Sequence, residues 1–300
     1  MTIEPPVPGE PRRPTGPRDP GDAWVVAESG ERYWGRFGAA GLLALDPDRG
    51  VLLQHRVSWS HFGGTWALPG GARHEKESAI AAALREAEEE AGVPHEAVRP
   101  RFSSVLDLGV WSYATVVADV IEPFEPVISD PESYALEWTP VPDVDAQPLH
   151  PAFEEAWAGL RELLGVRPAI VVDGANVVGS VPDGWWRDRA GAAARLKDRL
   201  TALSAAGVDA AALGLAATHW YPEWTLVVEG KARALEDGET GIAVVRADGE
   251  GDDTIAEVAA GLVRDGRAVT VVTSDRGLTA RATDAGASVR GAGWLLDLLP

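Results

Sequence analysis

Residues 71–93, GARHEKESAIAAALREAEEEAGV, constrain the fold of this chain more than any other stretch. A helix turns about 100° per residue, so Ile80, Ala83, Leu84, Ala87 and Ala91 fall on one apolar stripe. Glu86, Glu89 and Glu90, spaced i, i+3 and i+4, fall on an adjoining arc, whereas Glu88 points elsewhere. Carboxylates roughly 6 Å apart repel by about 2–3 kcal/mol per pair at an effective dielectric of 20. A solvated acidic face is one resolution of that repulsion. A hard divalent cation such as Mg²⁺, which prefers carboxylate oxygens, is the other. Either way, one helix carries both a buried face and a carboxylate face.

The spacing around the helix specifies more. Gly71, Glu77, Arg85, Glu86, Ala87, Glu89, Glu90, Gly92 and Val93 match the Nudix box: Gly, five residues, Glu, seven residues, then Arg-Glu-apolar-any-Glu-Glu-any-Gly-apolar. Ala87 is small for its position. The preceding Trp66-Ala67-Leu68-Pro69-Gly70-Gly71 is similar to the W-x-L-P-G-G lead-in common in that family, and its two glycines let backbone approach a ligand closely. Residues 23–164 therefore resemble a Nudix hydrolase. The resemblance implies an α/β/α sandwich with a mixed sheet and hydrolysis of a nucleoside diphosphate linked to another moiety, dependent on Mg²⁺ or Mn²⁺. It implies Glu86, Glu89 and Glu90 as metal ligands together with a turn carbonyl, of Gly71 or Gly70. Arg85 would orient a box carboxylate, and Arg56, Trp66, Gly70 and Gly71 would contact substrate. A further catalytic carboxylate often comes from a loop preceding a Trp; Glu132, six residues before Trp138, is the candidate and Glu137 the weaker alternative.

The box addresses a metal–diphosphate and leaves the rest of the substrate open. Gly109 stands where members preferring ADP-ribose often carry Pro, and Tyr113 fits poorly the position of a Tyr common in diadenosine-polyphosphate members. An oxidised nucleoside triphosphate stays open, with Trp59, Trp66 and Trp111 able to stack on a base.

After the Leu163-Leu164 end of an amphipathic helix predicted over 151–164, Gly165-Val166-Arg167 reads as a linker. Ala169–Val172 (AIVV) is a continuous apolar run of the kind buried on both faces in a parallel sheet. Strand and helix patterns then alternate to the end of the chain, which predicts an α/β domain over 168–300 with a largely parallel sheet. Ligands of such sheets bind beyond the carboxyl ends of the strands, where Asp173 and Asp275 fall; Asp252 and Asp253 open a helix. Asp252, Asp253 and Asp275 also suit helix N-termini, so a capping role is the plainer alternative for each.

As a set, VVDGANVVG, GDDTIAE and VVTSDRG resemble the NYN branch of the PIN-like nucleases, metal-dependent ribonuclease folds. The resemblance implies a second site of Asp173, Asn176, Asp252 or Asp253, and Asp275, with RNA as its partner. It departs at Glu229, where the family commonly has an aspartate, and that favours the alternative of an inactive RNA-binding, dimerisation or regulatory module. Arg187, Arg189, Arg195, Lys197 and Arg199 form either a basic stripe for RNA or the ordinary polar face of a helix.

Composition sets outer limits. The net charge is −19, and both halves are acidic, −13 over 1–167 and −6 over 168–300, so no bulk positive field drives nucleic-acid binding. Cysteine is absent, which excludes disulfides and thiolate metal sites and fits a reducing compartment. No long apolar run spans a membrane and the N-terminus is no signal peptide, so the cytoplasm is the expected location. Proline at seven positions between 5 and 20 predicts a disordered tail over 1–22. A homodimer is left open.

Overall fold

The computed structural model describes residues 1–5, 21–129, 131–182, 184–236, 238 and 241–300. The chain divides into two compact units, Met1–Leu164 with Ala216–Thr218, and Gly165–Leu215 with His219–Pro300.

In the first unit, β1 (Thr2–Glu4), β2 (Trp24–Val26) and β3 (Arg32–Trp34) form a small antiparallel sheet. The expected disordered tail is thereby corrected at its start: Thr2 and Ile3 suit a strand and precede the first proline, so they pair with Val26 and Val25. Positions 6–20 lie outside the described residues.

The main sheet is built from β4 (Ala39–Asp46), β5 (Gly50–Arg56), β6 (Trp66–Ala67) and β7 (Gly70–Ala72), then, past helix α1 (Ala79–Ala91), β8 (Val98–Asp107), β9 (Ser112–Val120) and β10 (Ser133–Thr139). Its order runs β10-β5-β4-β9-β8. β4 runs parallel to β9 and antiparallel to β5 and β7, so the sheet is mixed. All residues of β4 are buried, which its apolar sequence AAGLLALD allows. Helix α2 (Pro151–Leu163) closes the unit and buries Phe153, Trp157 and Leu160.

Helix α1 starts where the Ser78 hydroxyl accepts the Ala81 N–H at 3.1 Å and stops at Gly92, whose φ of 64° only glycine adopts without strain. It packs on β4, β7 and β9. Its buried face comprises Ala82, Ala83, Glu86, Ala87, Glu90 and Ala91, turned by roughly 60° from the expected stripe toward the carboxylates. Ile80 and Leu84 are left at the rim. The alanines permit this rotation because they let the helix approach the sheet closely, and Glu86 and Glu90 find polar partners inside.

The second unit contains β11 (Pro168–Asp173), α3 (Gly174–Gly179), α4 (Arg189–Ala206), β12 (Val208–Asp209), α5 (Ala210–Leu213), β13 (His219–Trp220), β14 (Glu223–Val228), β15 (Ile242–Arg246), α6 (Gly251–Arg264), β16 (Ala268–Val272), α7 (Arg276–Asp284), β17 (Ser288–Arg290) and α8 (Ala292–Leu298). Apart from the two-residue ribbon of β12 with β13, its strands form a sheet of order β15-β14-β11-β16-β17, parallel throughout. Alternation along β11 sends Ile170 and Val172 into one core with α4 and α8, and Val171 into another with α6 and α7. A strand covered on both faces has no polar alternation to keep, and this explains its unbroken apolar run.

Of the residues that could form either a basic stripe or an ordinary polar helix face, Arg187, Arg189 and Arg195 are exposed, but two others are engaged elsewhere. Lys197 is buried and its Nζ donates to the Glu236 carbonyl at 2.6 Å, while Arg199 Nε donates to the Pro300 carbonyl at 2.9 Å. Both cations are spent on holding neighbouring segments. Among the described residues no helix is long and apolar enough to cross a membrane.

Candidate active site

Glu86 and Glu90 are 4% and 5% exposed and lie one helical turn apart on the buried face of α1. Burying two carboxylates needs strong partners. Glu90 Oε2 accepts the Gly70 N–H at 2.9 Å. Arg85 Nη1 donates to Glu86 Oε1 at 2.7 Å. The same guanidinium grips Glu77 through Nε and Nη2, each at 2.9 Å, and the Ala72 carbonyl at 3.0 Å. Burial works against the charge on Arg85, but its hydrogen bonds to Glu77 and Glu86 outweigh that and hold its pKa above the ordinary value. Burial likewise opposes ionisation of Glu77, and bonds from Arg85 and the His74 N–H keep its carboxyl below the ordinary value. Gly71 completes the arrangement. A Cβ there would stand 2.6 Å from Glu86 Oε2, so glycine leaves the room that this carboxylate occupies.

Glu89 stands apart from that pair, with its side chain 40% exposed at the helix edge and 3.5 Å from Arg85 Nη1. Glu88 points outward and lies 3.2 Å from His95 Nε2. Glu132 is half-buried beside the end of β5: its carbonyl accepts the Val57 N–H at 2.9 Å and the next residue, Ser133, pairs with Arg56. Glu137 is exposed in mid-strand opposite Leu53.

Trp66, expected to contact substrate, is 8% exposed and stacks on His55 at 4.7 Å and 12°. Strand pairing with His55 and a bridge to Leu149 bury it, so it has no open ring to offer a base. Trp111 stacks on Tyr33 and donates its indole N–H to the Trp34 carbonyl at 3.0 Å. Trp59 remains exposed.

Tyr113 belongs to this neighbourhood although its sequence position gave no reason to place it there. Its hydroxyl sits over Gly41, where a Cβ would clash with it, and burial pushes its pKa up to about 12 against Arg56, with Glu90 and Glu86 adding to the rise. The signal in the sequence was Gly41, a glycine inside a buried strand, which marks a close approach.

The second unit has a cavity of about 180 Å³ at the carboxyl ends of its strands, lined by Asp173, Asn176, Glu229, Asp252 and Asp275 among others. Asp173 ends β11, where it accepts the Asn176 N–H at 3.0 Å and the Thr273 hydroxyl at 2.9 Å. Asn176 Oδ1 accepts the Ser274 N–H at 2.9 Å. Asp275 caps α7 by accepting the Leu278 N–H at 2.8 Å, so capping and cavity lining coexist in one residue. Burial first, then Glu229 and Asp275, raise the Asp173 pKa; burial and then Asp275 and Asp173 raise that of Asp252. Of the two neighbouring aspartates, Asp252 faces the cavity, whereas Asp253 pairs with Arg281 at 2.8 Å. Glu229 reaches the cavity with its longer side chain and accepts the Gly251 N–H at 2.7 Å.

Comparison with known proteins bears on the first unit. The model of the NUDIX domain matches residues 35–161. A protein of Mycobacterium tuberculosis named "Putative 8-oxo-dGTP diphosphatase 3" is 48% identical over 154 residues, which cover 48% of this chain and 70% of that protein. A "Nucleoside triphosphate pyrophosphatase/Nudix hydrolase fusion protein" of Bifidobacterium longum is 41% identical over 146 residues, 46% of this chain and 30% of that protein. The crystal structure of the Nudix hydrolase RenU from M. smegmatis shares 48% identity, covering 48% of this chain and 94% of that one at a TM-score of 0.45. The chain belongs to the Nudix family. It is a hydrolase of pyrophosphate bonds, and hydrolases of this family generally use divalent metal ions.

The residues around Gly71 fit such an ion in donor chemistry. Two buried carboxylates share a helix face beside a glycine that leaves them space, and all are oxygen donors. Among the described residues no three His, Asp or Glu side chains already converge as a chelate, since Glu89 stays at the outer edge.

Proposed function

We propose that the first unit cleaves a nucleoside diphosphate linked to another moiety, with Mg²⁺ or Mn²⁺ held by Glu86, Glu89, Glu90 and the Gly71 carbonyl. An oxidised purine nucleoside triphosphate is the first candidate substrate, because the M. tuberculosis relative carries the name of an 8-oxo-dGTP diphosphatase. The observation behind this reading is the pair Glu86 and Glu90, buried against Gly70 and Gly71. A bound divalent ion neutralises diphosphate oxygens and lowers the pKa of a water. Arg85 fixes the Glu86 carboxylate through its hydrogen bond to Oε1. Glu89, half-exposed and so able to meet a water, is the proton acceptor; Glu132, half-buried beside the end of β5, is the alternative. Arg56 binds a phosphate of the substrate.

The test is pyrophosphate-bond hydrolysis with Mg²⁺ over a set of nucleoside diphosphate derivatives. Glu86→Gln and Glu89→Gln should each lower turnover by about a hundredfold or more. Unchanged turnover in both variants sinks the site.

A second reading concerns the second unit and rests on its acid-lined cavity. We propose an NYN/PIN-like metal-dependent ribonuclease site of Asp173, Asn176, Glu229, Asp252 and Asp275. Burial first and then mutual repulsion raise the Asp173 and Asp252 pKa values, and a cation would relieve the repulsion. Full-length protein with Mn²⁺ should shorten single-stranded RNA, and Asp275→Asn should not. RNA retained intact by both proteins supports a binding module instead.

A further inference from the structure

The segment between β5 and β6, residues 57–65, is a tightly bonded loop that presents aromatic rings to solvent. Arg56 and Gly64 or Thr65 exchange two backbone bonds of 2.9 Å at its base. Inside it, Ser60 donates to the Val57 carbonyl at 3.1 Å, Gly63 to the Ser60 carbonyl at 2.9 Å, and the Thr65 hydroxyl to the Phe62 carbonyl at 2.6 Å. At its tip Phe62 has φ 54°, a left-handed conformation that costs a bulky residue energy, and yet its side chain is 47% exposed. Nearly half of the residue stays open to solvent, so burial does little to offset that cost. Strain of this kind is retained where surrounding bonds enforce it for a function.

The surroundings of the ring indicate which function. Phe62 meets His61 at 4.3 Å and His150 at 4.8 Å, both edge-to-face. Arg56 Nε donates to the His61 carbonyl at 3.3 Å, so the phosphate-binding cation and the aromatic group are parts of one assembly. His150 is tied to the catalytic lead-in by its N–H, which donates to the Trp66 carbonyl at 2.8 Å. Trp66 is four residues from Gly70, a reach of roughly 14 Å at most. Burial first, then Arg56, lowers the pKa of both imidazoles, that of His150 to about 4.

We propose that Phe62, flanked by His61 and His150, is the seat for the aromatic base of the substrate, and that residues 57–65 set base specificity. The inference rests on the nucleotide-hydrolase reading of the first unit. It moves base recognition from the buried Trp66 to a ring that solvent reaches.

Calorimetric titration of the full-length protein with GMP and with ribose 5-phosphate, its base-less counterpart, tests the seat. The wild type should bind GMP about tenfold more tightly than the sugar phosphate, the scale of one base–aromatic stack. Phe62→Ala should reduce that ratio about tenfold and Phe62→Trp should retain it. Phe62→Gly should lose the ratio as well while its Tm falls by no more than about 2 °C, because glycine relieves the strained φ. A ratio near one in the wild type, or an undiminished ratio in Phe62→Ala and Phe62→Gly, overturns the proposal. So does a Phe62→Gly protein that has lost the ratio through a large fall in Tm. Absent pyrophosphate hydrolysis by the wild type refutes the hydrolase reading instead, and the binding ratio remains decisive for the seat.

Discussion

Gly71→Ala probes the site without touching a charge. The backbone of Gly71 lies in β7, paired with Ala40, and its φ is not in the left-handed region, so alanine is conformationally acceptable there. The effect is therefore steric. The new Cβ would lie 2.6 Å from Glu86 Oε2, 2.7 Å from its Cδ and 2.8 Å from Oε1, whereas ordinary contact begins at 3.4 Å. The carboxylate must retreat by about 0.8 Å. It has little room, being 4% exposed and held by Arg85 at 2.7 Å. A misplacement near 1 Å costs on the order of a hundredfold in rate, so kcat/KM should fall roughly 30- to 100-fold. Overpacking costs about 1–3 kcal/mol, and the movable side-chain end places this case near 1, a Tm loss of about 2–4 °C. Phosphate release with Mg²⁺ and scanning calorimetry measure both. Gly159→Ala, in α2 with nothing within 4 Å of its Cβ, is the control and should gain about 0.5–1 kcal/mol with unaltered activity. Turnover of Gly71→Ala within twofold of wild type refutes the reasoning, because Glu86 would then have no required position.

Other outcomes follow from the same geometry. Glu88→Gln should keep activity within about twofold, since Glu88 faces His95 outside the site, and equal damage from Glu88→Gln and Glu89→Gln disproves the orientation of α1. Mn²⁺ should raise the Tm of the second unit in the wild type and in Asp253→Asn but not in Asp252→Asn; equal shifts in all three place the ion elsewhere. Asp173 is held above its ordinary pKa by burial and then by Glu229 and Asp275, so its ionisation disfavours the native state. That penalty is absent below the ordinary carboxylate pKa and complete above the raised one. Asp173→Asn should accordingly raise Tm at pH 7 in metal-free buffer, with a gain that shrinks on acidification toward pH 3; a gain independent of pH contradicts the assigned cause.

Local chemistry determined much of this protein in the sequence itself. Helix geometry groups Glu86, Glu89 and Glu90 by their i, i+3 and i+4 spacing whatever surrounds it, and the resemblance to the Nudix box added Gly71. The unbroken apolar run Ala169–Val172 announced β11, and the alternation after it announced the parallel sheet. Other features belong to tertiary structure, because they depend on what packs against what. The sequence wheel could not show that alanines let α1 rotate until Glu86 and Glu90 face Gly70 and Gly71 while Glu89 stays outside. Nor could it show that Trp66 is buried by His55 or that Tyr113 lies over Gly41, since each contact depends on which strands pair and in what register. In the second unit Asp173, Glu229, Asp252 and Asp275 come from four separate segments, and only the order β15-β14-β11-β16-β17 brings them to one cavity. Short-range geometry decides which side chains share a helix face; long-range pairing decides which of those faces meet.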